Sequence, residues 1–146
     1  MRKIFIFFVL AFSIFSIDLG GFIGEASNAK GMSYGVFASL SFFPFTRVEI
    51  EGSKFFTTEE KQLVLSGEAG ISLAGIHPYL IAGVGINTNE EGKFEPFSSS
   101  TYFSAIGGGV KFSIFSRMLK LRLDFRKFSV KDNPYYRAYV GILFSI

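Results

Sequence analysis

A chain of 146 residues that is 49% hydrophobic, with 20 Phe, 6 Tyr and 16 Gly, is long enough for one domain with a substantial core and too apolar to stay disordered. It has no cysteine, and its one histidine is His77, which excludes a disulfide framework, a thiolate metal centre, a cysteine-linked lipid anchor and a multi-histidine metal site. The formal charge is +3, but removing Arg2 and Lys3 from the 15 basic residues leaves 13 against 12 acidic ones, so the balance gives no footprint for nucleic acid.

Arg2 and Lys3 open the chain, and IFIFFVLAF (4–12) follows as an apolar stretch too short to cross a bilayer. Ala11 and Ser13 supply small residues at a cleavage position, with Ser16 as a second one. Together these predict an export signal over 1–16, cut after Ser13 or Ser16, and a mature domain over 17–146. No later apolar run approaches the ~20 residues of a spanning helix.

From residue 17 the hydrophobic period is 2. The pattern divides into segments at 17–25, 33–43, 47–55, 62–73, 78–87, 100–112, 118–129 and 135–146. In TRVEIEGS (46–53), Val48 and Ile50 oppose Arg47, Glu49 and Glu51. In QLVLSGEAGISL (62–73), Leu63, Leu65, Ala69 and Ile71 oppose Gln62, Ser66, Glu68 and Ser72. In KLRLDFRKF (120–128), Leu121, Leu123 and Phe125 oppose Lys120, Arg122, Asp124 and Arg126. Such alternation is the mark of half-buried strands, and ~9–11 residues is what a tilted membrane-spanning strand needs.

The connections alternate in character. SNAKGM, FTTEEK, TNEEGKFEPFSS and VKDNP are polar, whereas PFT, AGIH and IFSR are tight. Long loops on one rim and short turns on the other are the arrangement of an outer-membrane barrel. Thr57-x-x-Glu60 has the form of a helix capping box, but Gly67 and Gly70 follow within a continuing period-2 pattern, so it is read as a loop entering a strand. Gly107-Gly108-Gly109 and Gly83-x-Gly85 lack the strand–loop–helix setting of a phosphate-binding loop and are read as wall glycines that either allow sharp curvature or make room for a large lumen neighbour. The pairs Glu59-Glu60 and Glu90-Glu91 are read as solvated loop charges.

Alternation does not say which face is inside. The polar faces combine small residues (Ser39, Ser41, Gly83, Gly85) with nearly balanced charge, as a lumen filled by side chains requires. This predicts an enclosed charge network of Arg47, Glu49, Glu51, Glu68, Lys120, Arg122, Asp124, Arg126 and Arg137, paired because isolated enclosed charges cost several kcal/mol. Phe42, Phe43, Phe45, Phe55, Phe56, Phe112, Phe115, Tyr135 and Tyr136 fall near strand ends and are read as aromatic girdles.

HPYLIAGVGIN (77–87) and LRLDFRKFSVKDNPYYRAYVGILFSI (121–146) resemble a recurring strand and the closing hairpin of small outer-membrane β-barrels of the OmpA-like and opacity-type group. The resemblance implies an all-β fold, an eight-stranded antiparallel transmembrane up-and-down barrel, in the outer membrane of a Gram-negative-type cell. It also implies that Tyr139, Gly141, Phe144 and Ile146 form a C-terminal signal for the barrel-assembly machinery, with outer-membrane lipid as the other partner. Enzymes of that group resemble a His-plus-Ser arrangement in outer loops. Here His77 precedes Pro78 at a tight turn with no serine two residues on. The expectation is therefore a monomeric structural or surface-interaction protein without catalysis, cofactor or metal. The alternatives are a narrow channel for small solutes or apolar molecules, and a soluble periplasmic lipocalin-like binder.

Overall fold

The computed structural model describes residues 16–89, 91–96, 101–131 and 133–146. Its strands are β1 (Ile17–Ala26), β2 (Gly31–Phe43), β3 (Thr46–Phe55), β4 (Lys61–Gly70), β5 (Ile76–Asn87), β6 (Tyr102–Ser113), β7 (Leu119–Ser129) and β8 (Tyr135–Ser145). Each pairs antiparallel with the next, and β8 returns to β1, from Asp18 opposite Ser145 to Ala26 opposite Arg137. The result is a closed eight-stranded up-and-down barrel without a free sheet edge. The expected leader over 1–16 lies, apart from Ser16, outside the described residues.

Strand bounds follow the predicted pattern closely, with one clear exception. β4 was expected to reach Leu73 but ends at Gly70. Leu73 and Ile76 instead exchange both backbone hydrogen bonds, at 2.7 and 2.9 Å. Between them Ala74 and Gly75 have φ of 46° and 90°, the paired positive values of a two-residue hairpin turn. Residues 71–73 therefore lie beyond β4 as a loosely paired stem that leads into the turn, with the Ile71 N–H donating to the Pro78 carbonyl at 3.1 Å.

The two faces of the wall are the reverse of a soluble barrel's. Outward-facing Leu80, Val36, Ile106 and Val84 are 72, 67, 63 and 62% exposed, whereas Arg122, Arg126 and Arg137 are fully buried inside. Phe42, Phe43, Phe45 and Phe115 are exposed at the turn rim, and Phe56 and Tyr136 at the loop rim. Phe55 and Tyr135, predicted as girdle residues, are instead fully buried in the lumen. Strand parity decides this: Phe55 shares a face with Glu51 and Ser53, and Tyr135 with Arg137.

Candidate functional site

The lumen is filled in three tiers. At the turn side, β1, β3, β4, β5 and β6 bring together Asp18, Arg47, Glu68, His77 and Lys111. Asp18 accepts from Arg47 and, at 2.6 Å, from the Ser145 hydroxyl. The Lys111 ammonium donates to both oxygens of Glu68 at 2.7 and 2.6 Å.

The middle tier is a three-arginine, three-carboxylate network. Arg122 on β7 donates through Nη1 and Nη2 to the two oxygens of Glu49 on β3, and its Nη2 also reaches Asp124 at 2.9 Å. Arg126 joins Asp124 at 2.8 Å, Glu49 at 2.9 Å and Glu51 at 3.1 Å. Arg137 pairs with Glu51 and donates to the Ser53 hydroxyl at 3.3 Å. The Tyr79 hydroxyl accepts from Arg122 at 2.6 Å and donates to Asp124 at 2.5 Å, while Tyr139 accepts from Arg126 at 2.7 Å. Ring faces also cover the guanidinium groups: Arg122 lies 4.6 Å from the Phe37 centroid and Arg137 4.7 Å from that of Phe128, a favourable placement for a desolvated guanidinium.

Crowding explains a lumen glycine. A side-chain carbon at Gly109 would fall 2.5 Å from the Tyr79 hydroxyl, so a glycine is required where Tyr79 crosses to Asp124. Of the two roles expected for the Gly107–Gly109 run, Gly109 takes the large-neighbour one.

The third tier, toward the loops, is apolar. Phe55, Val64, Phe103, Ala105, Phe128 and Tyr135 form one buried cluster with Ala26. The Phe128 and Tyr135 rings stack at 4.9 Å, and Phe103 lies 5.5 Å from Phe128. Gln62 donates to the Tyr135 hydroxyl. Lys30 closes the tier, its ammonium 5.6 Å from both the Phe55 and Tyr135 centroids and 2.7 Å from Glu60.

Of the charges predicted to fill the lumen, Glu49, Glu51, Glu68, Arg122, Asp124, Arg126 and Arg137 are buried and paired. Arg47 is half-buried at the turn-side mouth, on Asp18. Lys120, expected to be paired, makes no side-chain hydrogen bond or ion pair among the described residues. It lies at the start of β7, where the lumen opens. Sequence reasoning missed Asp18, Lys111, Tyr79 and the whole apolar tier. Lys111 was findable, because it lies opposite His77 on β5 and Arg122 on β7. Of the residues resembling an assembly signal, Phe144 and Ile146 face outward, whereas Tyr139 and Gly141 face inward. Tyr139 stacks on Phe22 at 4.3 Å.

Against solved structures, the chain is similar to the N-terminal β-barrel domain of Pseudomonas aeruginosa OprF, with a TM-score of 0.73 and 14% identity over 90% of this chain and 97% of that one. A de novo designed transmembrane β-barrel matches at 0.71 and 14% identity over 90 and 95%. The outer-membrane enzyme PagL matches at 0.55 and 13% identity over 87 and 98%. No protein-family model and no curated protein sequence matches the chain. The fold is thus that of transmembrane barrels. A designed barrel, a domain and an enzyme all share it, so function has to be argued from this chain's own side chains.

Among those, one constellation resembles nucleophile chemistry. The Ser72 hydroxyl lies 3.0 Å from His77 Nδ1, and His77 Nε2 lies 3.4 Å from Glu68. The serine partner of His77 is thus five residues before it, across the hairpin, and not two after it. Glu68, however, already accepts two short bonds from Lys111, which weakens it as the support of a general base. Among the described residues, no three His, Asp or Glu side chains converge on a metal-sized site.

Proposed function

We propose that this protein is an outer-membrane β-barrel of the OmpA-like and opacity-type kind, with a structural or surface-interaction role and no catalysis. The observation that carries the reading is the inverted wall. Leu80, Val36, Ile106 and Val84 face outward while the arginine–carboxylate network is sealed inside. Large contiguous apolar surface in water is an aggregation hazard, but in lipid it is what holds a barrel in place. The aromatic rims at Phe42, Phe43 and Phe45 on one side and Phe56 and Tyr136 on the other support the same reading. In this orientation the start of β1, the end of β8 and the tight turns face the periplasm and the polar loops face outward. Those loops are then the surface available to partners.

The filled lumen favours this role over a narrow channel. A solute would have to displace the Arg122–Glu49 bridge and then the Phe103–Phe128–Tyr135 tier. The reading is tested by fractionating cells and comparing gel migration of the outer-membrane extract with and without boiling. A heat-dependent shift in the detergent extract is expected. Recovery in the soluble periplasm, with no shift, overturns it.

A further inference from the structure

At the turn-side mouth the lumen carries more positive charge than it can pair. A cavity of about 390 Å³ there is lined by Arg47, His77, Lys111, Arg117 and Lys120, with Ser72 at its edge. Two carboxylates serve this group: Asp18 holds Arg47, and Glu68 holds Lys111. The side chains of Arg117 and Lys120 make no hydrogen bond or ion pair among the described residues. Four full positive charges thus face two negative ones, and the excess is concentrated on two side chains of the same hairpin.

We infer that this mouth is a binding site for a phosphate-type dianion, held between Arg117 and Lys120. The physical reasons are charge and shape. A cavity of one sign with low-dielectric walls attracts counter-ions more strongly than a flat surface does. An arginine fork can grip two oxygens of one phosphate while a lysine neutralises it as a point charge. A carboxylate would leave one of the two cations uncompensated, whereas a dianion satisfies both. The Ser72 hydroxyl, on His77 at 3.0 Å, adds a hydrogen-bonding group at the cavity edge.

Two sources could present this chemistry. One is a soluble phosphate monoester. The other is a lipid with a monoester phosphate headgroup, because Phe115, two residues before Arg117, is fully exposed at 101% and would enter the lipid interface beside the mouth. The inference rests on lumen geometry and is independent of the role proposed for the outer loops.

The test uses the protein purified in non-ionic detergent, its folding verified first by heat-dependent gel migration. Inorganic phosphate is titrated while the amide resonances of Gly75 and Ser113 are followed by NMR. Saturable shifts are expected that chloride at equal ionic strength does not reproduce. The double variant Arg117→Gln/Lys120→Gln, folded by the same gel criterion, should bind at least tenfold more weakly, whereas Lys131→Gln on the opposite rim should bind as the parent does. Nanodiscs of phosphatidylcholine with and without phosphatidic acid separate the sources. Shifts produced by phosphatidic acid alone assign the lipid headgroup, and shifts requiring added phosphate assign the soluble ion; either supports the site. Shifts that do not saturate, that chloride reproduces, or that survive in the double variant overturn it.

Discussion

Arg122 and Glu49 meet across the full width of the barrel. They stand on β7 and β3, which are separated by three strands in either direction around the wall, and both side chains are fully buried. With Arg126, which reaches Glu49 and Glu51 from the same strand, this bridge ties opposite walls together in an enclosed space where an orphaned charge is costly. Glu49→Ala should therefore destabilise the barrel by about 3–5 kcal/mol, read by urea unfolding from lipid vesicles. Glu49→Leu combined with Arg122→Met removes both charges at once and leaves Arg126 with Asp124 and Glu51. It should cost less than Glu49→Ala alone; an equal or greater loss would show that the contacts of Arg122 with Asp124 and Tyr79 and of Arg126 with Glu49 outweigh the unpaired charge.

The apolar tier makes a separate prediction about conduction. Because Phe103, Phe128 and Tyr135 cap the charged tier on the loop side, Arg122→Ala should not open a path by itself. Planar-bilayer recordings of Arg122→Ala should stay at the baseline of the parent protein. Discrete conductance steps from this variant would mean that the aromatic tier does not seal. Phe128→Ala removes a fully buried ring and should cost about 3–5 kcal/mol.

At the β4–β5 hairpin, Ala74 holds a positive φ that suits glycine or asparagine far better than alanine. Ala74→Gly should stabilise the barrel by about 1 kcal/mol, measured as a raised urea midpoint with unchanged slope. The same reasoning covers Ala29, at φ 60° beside Asn28. A loss of stability at both positions would contradict the turn assignment.

How much of this was legible in the sequence depended on local chemistry. β3 and β7 were readable because charged residues alternate with branched or aromatic apolar ones, so parity placed Glu49, Glu51, Arg122, Asp124 and Arg126 on one face. β6 was less readable, because Gly107, Gly108 and Gly109 carry no side chain to mark a face, and Lys111 just beyond them went unassigned. β1 has the same difficulty at Gly20 and Gly21, next to Asp18. The apolar tier was hidden for a different reason: Val64, Phe103 and Phe128 are apolar on the inward face, so they look like extra members of the outward set. Tyr135 and Phe55 read as girdle residues because an aromatic residue at a strand end has no intrinsic side. Counting back from Arg137 and forward from Glu51 would have put both inside. The mouth cavity depends on how three hairpins converge in space, which no single stretch of sequence encodes.

If lipid covers the outward face, Leu80→Arg should be strongly destabilising. Leu80 projects from β5 with 72% of its surface exposed, opposite Gly108 on β6. A solvated surface would accept arginine there within about 0.5 kcal/mol, whereas near the bilayer midplane it should cost about 2–4 kcal/mol. Urea unfolding of the parent and Leu80→Arg proteins from phospholipid vesicles decides between these. The membrane account predicts the larger loss; equal stability of the two would contradict it.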